Sequence, residues 1–309
     1  MRVAVFGVGG VGGYFGGRLA EAGHDVFLIA RGAHRQAIET SGLRIESPKG
    51  DVVVHPASVT DAPATVGPVE LVIVGVKAGQ LDEAATAMRP LVGPETTVLP
   101  LLNGVEAPAR LAAVLDPERV LGGFCRVLAE IAAPGLIRHS GLEPTIVLGE
   151  MDNRRSDRVE RIRDALVAAG IATEIRDDVQ VAMWEKFMLI ATWSGIGAAT
   201  RASIGVWRSL PGTRAMAEAG LREVVAVAQA RGVPLAHERV ESTLSAWDGA
   251  PAAGTASMQR DMMEGRPSEL DAQSGAVVRL GADVGVPTPV HGFLYHTLLP
   301  QEKAARGET

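Results

Sequence analysis

A single cysteine, Cys125, is the whole thiol complement of this 309-residue chain. One thiol excludes an intramolecular disulfide and suits a reducing compartment, so a cytoplasmic location is expected. Aromatic residues amount to 4%, too few for an aromatic-rich interaction surface. Cations are not in excess either: 30 Lys and Arg stand against 36 Asp and Glu, for a formal net charge of −6. With no basic tract to offset that acidity, a nucleic-acid partner is excluded from the expectations. The longest mostly apolar stretch, Phe187 to Thr200, is short and interrupted by Ser194, Gly195 and Gly197, so no membrane partner is expected. The chain opens directly into a strand-like run, and no signal peptide is expected ahead of it. His139, His237, His291 and His296 show no metal-ligand spacing with acidic or Cys partners, and a metal site is not expected. There is no Gly-x-Ser-x-Gly nucleophile elbow, and Cys125 reads as a small buried residue rather than a nucleophile.

Glycine, by contrast, is plentiful at 36 residues, and its placement is informative. Gly7-Val8-Gly9-Gly10-Val11-Gly12 follows the apolar run Val3 to Phe6 and precedes a helical stretch that ends at Gly23. In a strand-turn-helix context, the first glycine permits the tight turn and the second lets backbone approach a pyrophosphate. The third lets the helix pack close to the sheet. The helix N-terminus then offers N–H groups and the positive end of its dipole to phosphates. A second strand, Asp25 to Ile29, leads to Arg31. An NAD site normally carries Asp or Glu there for the ribose 2′-hydroxyl, whereas a cation accommodates a 2′-phosphate, so NADP is the expected cofactor.

A chain of this length with 47% hydrophobic residues can bury a substantial core and divide into two domains. Short β-branched runs alternate with helical segments from residue 1 to about 176, the pattern of an open, largely parallel sheet. Strands are expected at Val3–Phe6, Val26–Ile29, Leu71–Val76, Thr97–Leu102, Val120–Phe124 and Ile146–Leu148, with helices at Gln80–Arg89 and Glu106–Leu115. Arg44 to Val54 reads as a hairpin insertion around Pro48-Lys49-Gly50-Asp51. Beyond Asp177 only helical periodicity remains, at Val179–Ala199, Arg214–Ala230, Leu235–Ala246, Ser268–Ala282 and His291–Leu299. The expected division is therefore residues 1–176 and 177–309. Ala219, Leu221, Val224, Val225, Val227 and Ala228 give the Arg214–Ala230 helix an apolar face suited either to a homodimer interface or to the core.

Ligands of doubly wound sheets lie beyond the carboxyl ends of the strands. Two polar residues stand at such ends: Lys77, after Leu71 to Val76, and Asn103, after Thr97 to Leu102. The glycine turn, Arg31, Val76-Lys77, Leu102-Asn103-Gly104, Trp184-Glu185-Lys186, Ser257-Met258 and Gly265-Arg266-Pro267-Ser268-Glu269-Leu270-Asp271 occur in an order and spacing that resembles the 2-dehydropantoate 2-reductases, or ketopantoate reductases. The resemblance spans nearly the whole chain. It implies a Rossmann-type, doubly wound, mostly parallel sheet domain followed by an all-α domain. It also implies NADPH as hydride donor, and reduction of a small-molecule 2-oxo acid in the cleft between domains.

Position by position, the resemblance implies Lys186 as the catalytic lysine and Asn103 in contact with cofactor and substrate. It implies Lys77 along the cofactor, Glu269 near the nicotinamide end and the substrate hydroxyl, and Ser257 at the substrate carboxylate. The chemistry agrees. Hydride addition to a ketone leaves an alkoxide that needs both charge stabilisation and a proton, and one ammonium supplies both. Trp184, Phe187, Met188, Leu189 and Ile190 surround Lys186 in sequence, and partial burial among them would lower a lysine pKa from its usual ~10.4. The family's lysine helix usually carries asparagines four and eight residues on, lining the substrate pocket. Here Ile190 and Ser194 stand at those positions, on roughly the same helix face. A substrate more apolar or bulkier than ketopantoate is expected. A hydroxyacid dehydrogenase working oxidatively, an imine reductase, and a non-enzymatic NADP-binding sensor are the alternative readings.

Overall fold

The computed structural model describes residues 1–308, which form two compact units. The first comprises residues 1–102 and 107–179, the second residues 103–106 and everything from 180 on.

The first unit begins with β1 (Arg2–Phe6), α1 (Gly10–Glu21), β2 (Asp25–Ile29), α2 (Gly32–Ser41), β3 (Leu43–Glu46), β4 (Val52–Val54) and β5 (Ser58–Thr60). It continues through β6 (Leu71–Val74), α3 (Leu81–Ala87), β7 (Thr97–Pro100), α4 (Ala107–Ala112), β8 (Gly122–Arg126), β9 (Ala129–Ala133), β10 (Leu136–His139), β11 (Thr145–Gly149), α5 (Asp157–Ala168) and β12 (Ala172–Ile175). Five of these strands pair in parallel in the order β5-β2-β1-β6-β7. The winding reverses at β1. Val3 and Val5 with Ile73 of β6 and Leu99 of β7 on one face, and Ala4 with Val72 and Val98 on the other, are fully buried, so both faces of the sheet are covered.

α1 packs unusually close to what surrounds it because glycine lines it. A Cβ on Gly16 would stand 2.8 Å from Val5, one on Gly13 2.7 Å from Ile137, and one on Gly17 2.4 Å from Ile45. Val5 belongs to the parallel sheet, whereas Ile45 and Ile137 belong to a second sheet, ordered β4-β3-β10-β9. The expected hairpin is present as the antiparallel β3–β4 pair. Its extension was not expected: β3 also pairs in parallel with β10, nearly a hundred residues on. The strand expected at Val120–Phe124 is β8, and it leaves the parallel sheet. It runs antiparallel to β11 in a third sheet, β12-β11-β8, and the isolated bridge Val98–Val120 links the two sheets.

The second unit is helical: α6 (Val179–Thr200, its first residue counted with the first unit), α7 (Ile204–Trp207), α8 (Pro211–Ala230), α9 (Glu238–Asp248), α10 (Ser257–Met263), α11 (Ala276–Asp283) and α12 (Pro289–Arg306). No strand occurs in it among the described residues. Leu221, Val224, Val225, Val227 and Ala228 of α8 are all 0% exposed. The core therefore takes these five residues, while Ala219 of the same expected face is exposed. The helix expected over Ser268–Ala282 begins later and irregularly. The N–H and hydroxyl of Ser268 donate to the buried Glu302 carboxylate on α12, and the Leu270 N–H donates to Ser268 Oγ, so Ser268 is the side-chain cap of the irregular turn that precedes α11. A π-helical turn, Asp271–Gly275, closed by Gly275 N–H donating to Leu270 C=O, leads into α11. Among the described residues no helix is long and apolar enough to cross a membrane, and no group of three or more His, Cys, Asp or Glu is placed to hold a metal.

Candidate active site

In the first unit the expected dinucleotide turn joins β1 to α1. Gly7 has φ +95, and a Cβ there would press to 2.8 Å from the Val76 backbone nitrogen, so only glycine fits. Gly12 lies so close to the turn that its Cβ would reach 2.1 Å from Gly7 O, which is the close helix–turn packing the third glycine provides. Gly10 answers to a different constraint, because its Cβ would overlap the Ala129 carbonyl of β9. Gly9 differs again: a Cβ there meets nothing within 4 Å and would project into open space. Gly9 is also the N-cap of α1, no side chain caps the helix, and its first turn contains no acid. An uncapped dipole end with open space at Gly9 fits the pyrophosphate of a dinucleotide. Val8 is buried and Val11 half-buried on either side of Gly9 and Gly10.

Arg31 follows β2 as expected, but its guanidinium already has a partner: Nη2 lies 2.7 Å from Oε1 of Glu83 in the first turn of α3. Lys77 is exposed, immediately before the 3-10 turn Ala78–Gln80. Cys125 is buried, its thiol 3.6 Å from the Leu101 carbonyl.

In the second unit three of the expected residues meet. Lys186 Nζ donates to Asn103 Oδ1 at 2.9 Å, and Asn103 Nδ2 donates to Glu269 Oε2 at 2.8 Å. Ammonium only donates and carboxylate only accepts, so the neighbours dictate which way the amide faces. α6 presents Lys186 because Trp184, Phe187 and Met188 turn into the core and leave Lys186 and Ile190 on a half-buried face. Asn103 is held by a four-residue loop. Gly104 in it has φ +98 and approaches the π turn so closely that a Cβ would be 3.1 Å from Ala272 O. Glu269 directly follows the capping Ser268, just ahead of the π turn, and its carbonyl accepts from Gln273 N–H.

Residues that the sequence reading passed over hold this arrangement. Arg279 of α11 donates to Glu106 at 2.9 Å and to Asp271 at 2.8 Å, clamping the Asn103 loop to the turn beside Glu269. Burial opposes the charge of Arg279, but the two carboxylates outweigh it and raise its pKa above the usual value. Tyr295 donates to the same Asp271; burial and that carboxylate both push its phenol up. The hydroxyls of Ser194 and Ser274 and both ends of the Gln273 amide are buried without a hydrogen-bond partner among the described residues. Gly195 allows the contact between these elements, since a Cβ there would be 3.1 Å from Ser274 Oγ. Ser257, in the first turn of α10, is exposed and is not hydrogen-bonded to the Lys186–Asn103–Glu269 set.

The glycine turn and the lysine–amide–carboxylate set correspond to known proteins over both units. A family model described as ketopantoate reductase PanE/ApbA matches residues 3–153, and one described as its C terminal matches residues 178–302. The chain belongs to the ketopantoate reductase family. Membership places it among oxidoreductases acting on a CH–OH/C=O pair. The 2-dehydropantoate 2-reductase of Mesorhizobium japonicum is 33% identical, over 94% of this chain and 94% of that protein. A crystal structure of a PanE/ApbA family ketopantoate reductase from Ralstonia eutropha JMP134 superposes with a TM-score of 0.90 at 33% identity, covering 99% of this chain and 100% of that one. D-mandelate dehydrogenase, solved with NADH and anilino(oxo)acetate, shares the fold, with a TM-score of 0.90 at 24% identity over 99% of each chain. The ketopantoate reductase structure agrees with a parallel sheet flanked by helices followed by a helical region.

Proposed function

We propose that this chain is an NADPH-dependent reductase of a 2-oxo acid with Lys186 as proton donor. The hydrogen-bonded set Lys186–Asn103–Glu269 is the observation that carries the reading. A nicotinamide dinucleotide, when bound, supplies the hydride that reduces the carbonyl carbon. The residues of this chain do the rest. Gly7, Val8, Gly9, Gly10, Val11 and Gly12 shape the pyrophosphate turn, Arg31 meets the 2′-phosphate, and Lys77 lies along the cofactor. Residues 1–176 thus bind the dinucleotide, and residues 177–309, joined by Asn103, supply the substrate and acid–base groups.

The Lys186 ammonium offsets negative charge developing on the substrate oxygen and then gives that oxygen a proton. Asn103 holds the ammonium from one side, and Glu269, through the same amide, fixes the direction in which the amide dipole faces. Ser257 is assigned to the substrate carboxylate. Ile190, half-buried one turn beyond Lys186, sets hydrocarbon where the family usually has an amide, and Ser194 is sealed in the interior. Ser194, at 0% exposure, is therefore not the pocket-lining residue expected of it, and Ile190 alone favours a substrate more apolar than ketopantoate. The lone buried thiol supports a cytoplasmic setting.

The test is a steady-state panel of 2-oxo acids with NADPH and NADH on wild type and Lys186→Ala. The variant should lose about 10²-fold or more in kcat, and an unaffected rate removes Lys186 from the mechanism. Ketopantoate showing the highest kcat/KM of the panel would refute the substrate assignment.

A further inference from the structure

β1 lies between β2 and β6, and its carboxyl end carries the glycine turn. Arg31 leaves the end of β2, while Glu83 stands on the helix that follows β6. Their ion pair, 2.7 Å long, therefore joins the two connections that flank the turn. In this class of sheet the position after the second strand is where the adenosine ribose is read: an acid takes the 2′-hydroxyl, a cation the 2′-phosphate. This chain places both there. Arg31 supplies the cation from β2, and Glu83 returns the carboxylate from the other side of β1.

The neighbouring charges follow the same pattern. Arg35 is paired with Asp61 at 2.6 Å and with Glu39 at 3.0 Å. His34 is half-buried, and burial lowers its pKa, which favours the neutral ring. Two guanidinium groups thus face three carboxylates, and the locus carries no surplus of positive charge. Asp82, adjacent to Glu83, is turned elsewhere: Arg110 holds it at 2.9 Å.

We propose that Glu83 sets coenzyme selectivity in this chain by holding Arg31 and by accepting the ribose 2′-hydroxyl, so that NADH is bound alongside NADPH. A 2′-phosphate has to take Arg31 from Glu83 and then lie beside a carboxylate. A 2′-hydroxyl donates to Glu83 and accepts from Arg31 with the pair left in place. Both side chains are 66% exposed, so the pair is weak and exchangeable, and it tunes the preference rather than blocking either coenzyme. The proposal rests on the dinucleotide reading of the glycine turn.

Calorimetric titration of wild type, Glu83→Gln and Asp82→Asn with NADP⁺, NAD⁺, 2′,5′-ADP and 5′-AMP tests it without turnover. Glu83→Gln should raise the NADP⁺ to NAD⁺ affinity ratio about three- to fivefold, the upper end for one exposed charge pair, and the fragment ratio should move with it. Asp82→Asn, which removes the same charge one residue away, should leave both ratios within about twofold, because exposed charges are screened by solvent and salt. An unchanged ratio in Glu83→Gln, or an equal shift in Asp82→Asn, overturns the role of Glu83 while leaving the dinucleotide site standing. Failure of wild type to bind any of the four ligands overturns the dinucleotide reading itself, and this proposal with it.

Discussion

Replacing Asn103 by aspartate changes one atom group at the centre of the hydrogen-bonded set and replaces an amide, which does not titrate, by a carboxyl that does. In the native chain the amide donates to Glu269 Oε2 at 2.8 Å and accepts from Lys186 Nζ at 2.9 Å. The introduced carboxylate, when ionised, still accepts from Lys186 but sets one carboxylate against another at the former donor position. At an effective dielectric of about 20, two unit charges 2.8 Å apart repel by about 6 kcal/mol. The adjacent ammonium offsets part of this, and at about 1.4 kcal/mol per pKa unit even a third of it raises the apparent pKa of the dyad by more than about one unit. The protonated pair restores the native pattern, one O–H donating to Glu269 and one oxygen accepting from Lys186. The variant should therefore be impaired near neutral pH and should gain on the native enzyme as the pH falls toward about 5. The assay is kcat/KM from about pH 5 to pH 9 for both proteins, with dinucleotide affinity measured separately. A variant profile that parallels the native one, at any level of activity, would show that Asn103 does not mediate between Lys186 and Glu269.

The glycines of the turn should separate into two groups. Gly9→Ala places its methyl in open space and should leave Tm within a few degrees of native while weakening NADP⁺ binding by about tenfold or more. Gly10→Ala meets the Ala129 carbonyl and should lower Tm markedly; thermal melts and titration of both variants check this, and equal melting temperatures would refute it. His291 supplies an acid limb to stability. Complete burial lowers its pKa from about 6.5 to about 4, opposed by its contact with the Gly220 carbonyl. The unfolded chain takes up that proton as the pH drops below about 6.5, whereas the folded chain resists it until about 4, so stability declines across that window. Urea unfolding should show about 2 kcal/mol less stability at pH 5 than at pH 7 from this group. Glu223, whose two oxygens accept from the Val290 and His291 N–H groups, acts with the opposite sign, because burial raises its pKa. His291→Asn should flatten the acid limb, and an undiminished slope in the variant would assign it elsewhere.

Local pattern alone was enough to read the strand–glycine turn–helix at the N-terminus, the β3–β4 hairpin, the change to helices after Asp177 and the long α6 and α8. Each depends on periods and turn chemistry that span a few residues. Asn103 stood out by its place at the end of a strand, but Lys186 and Glu269 could be named only through family resemblance, since nothing local distinguishes a lysine on an amphipathic helix from one reaching for solvent. The rest depended on residues distant in sequence. Gly10 is required by Ala129 and Gly13 by Ile137, each over a hundred residues away, and Ser268 is anchored by Glu302, about thirty residues on. Arg31 looked like an available cation because Glu83, which neutralises it, arrives from a different strand connection. Charge partners and close backbone approaches are set by which chain segments the fold brings side by side, and one-dimensional spacing carries no record of that.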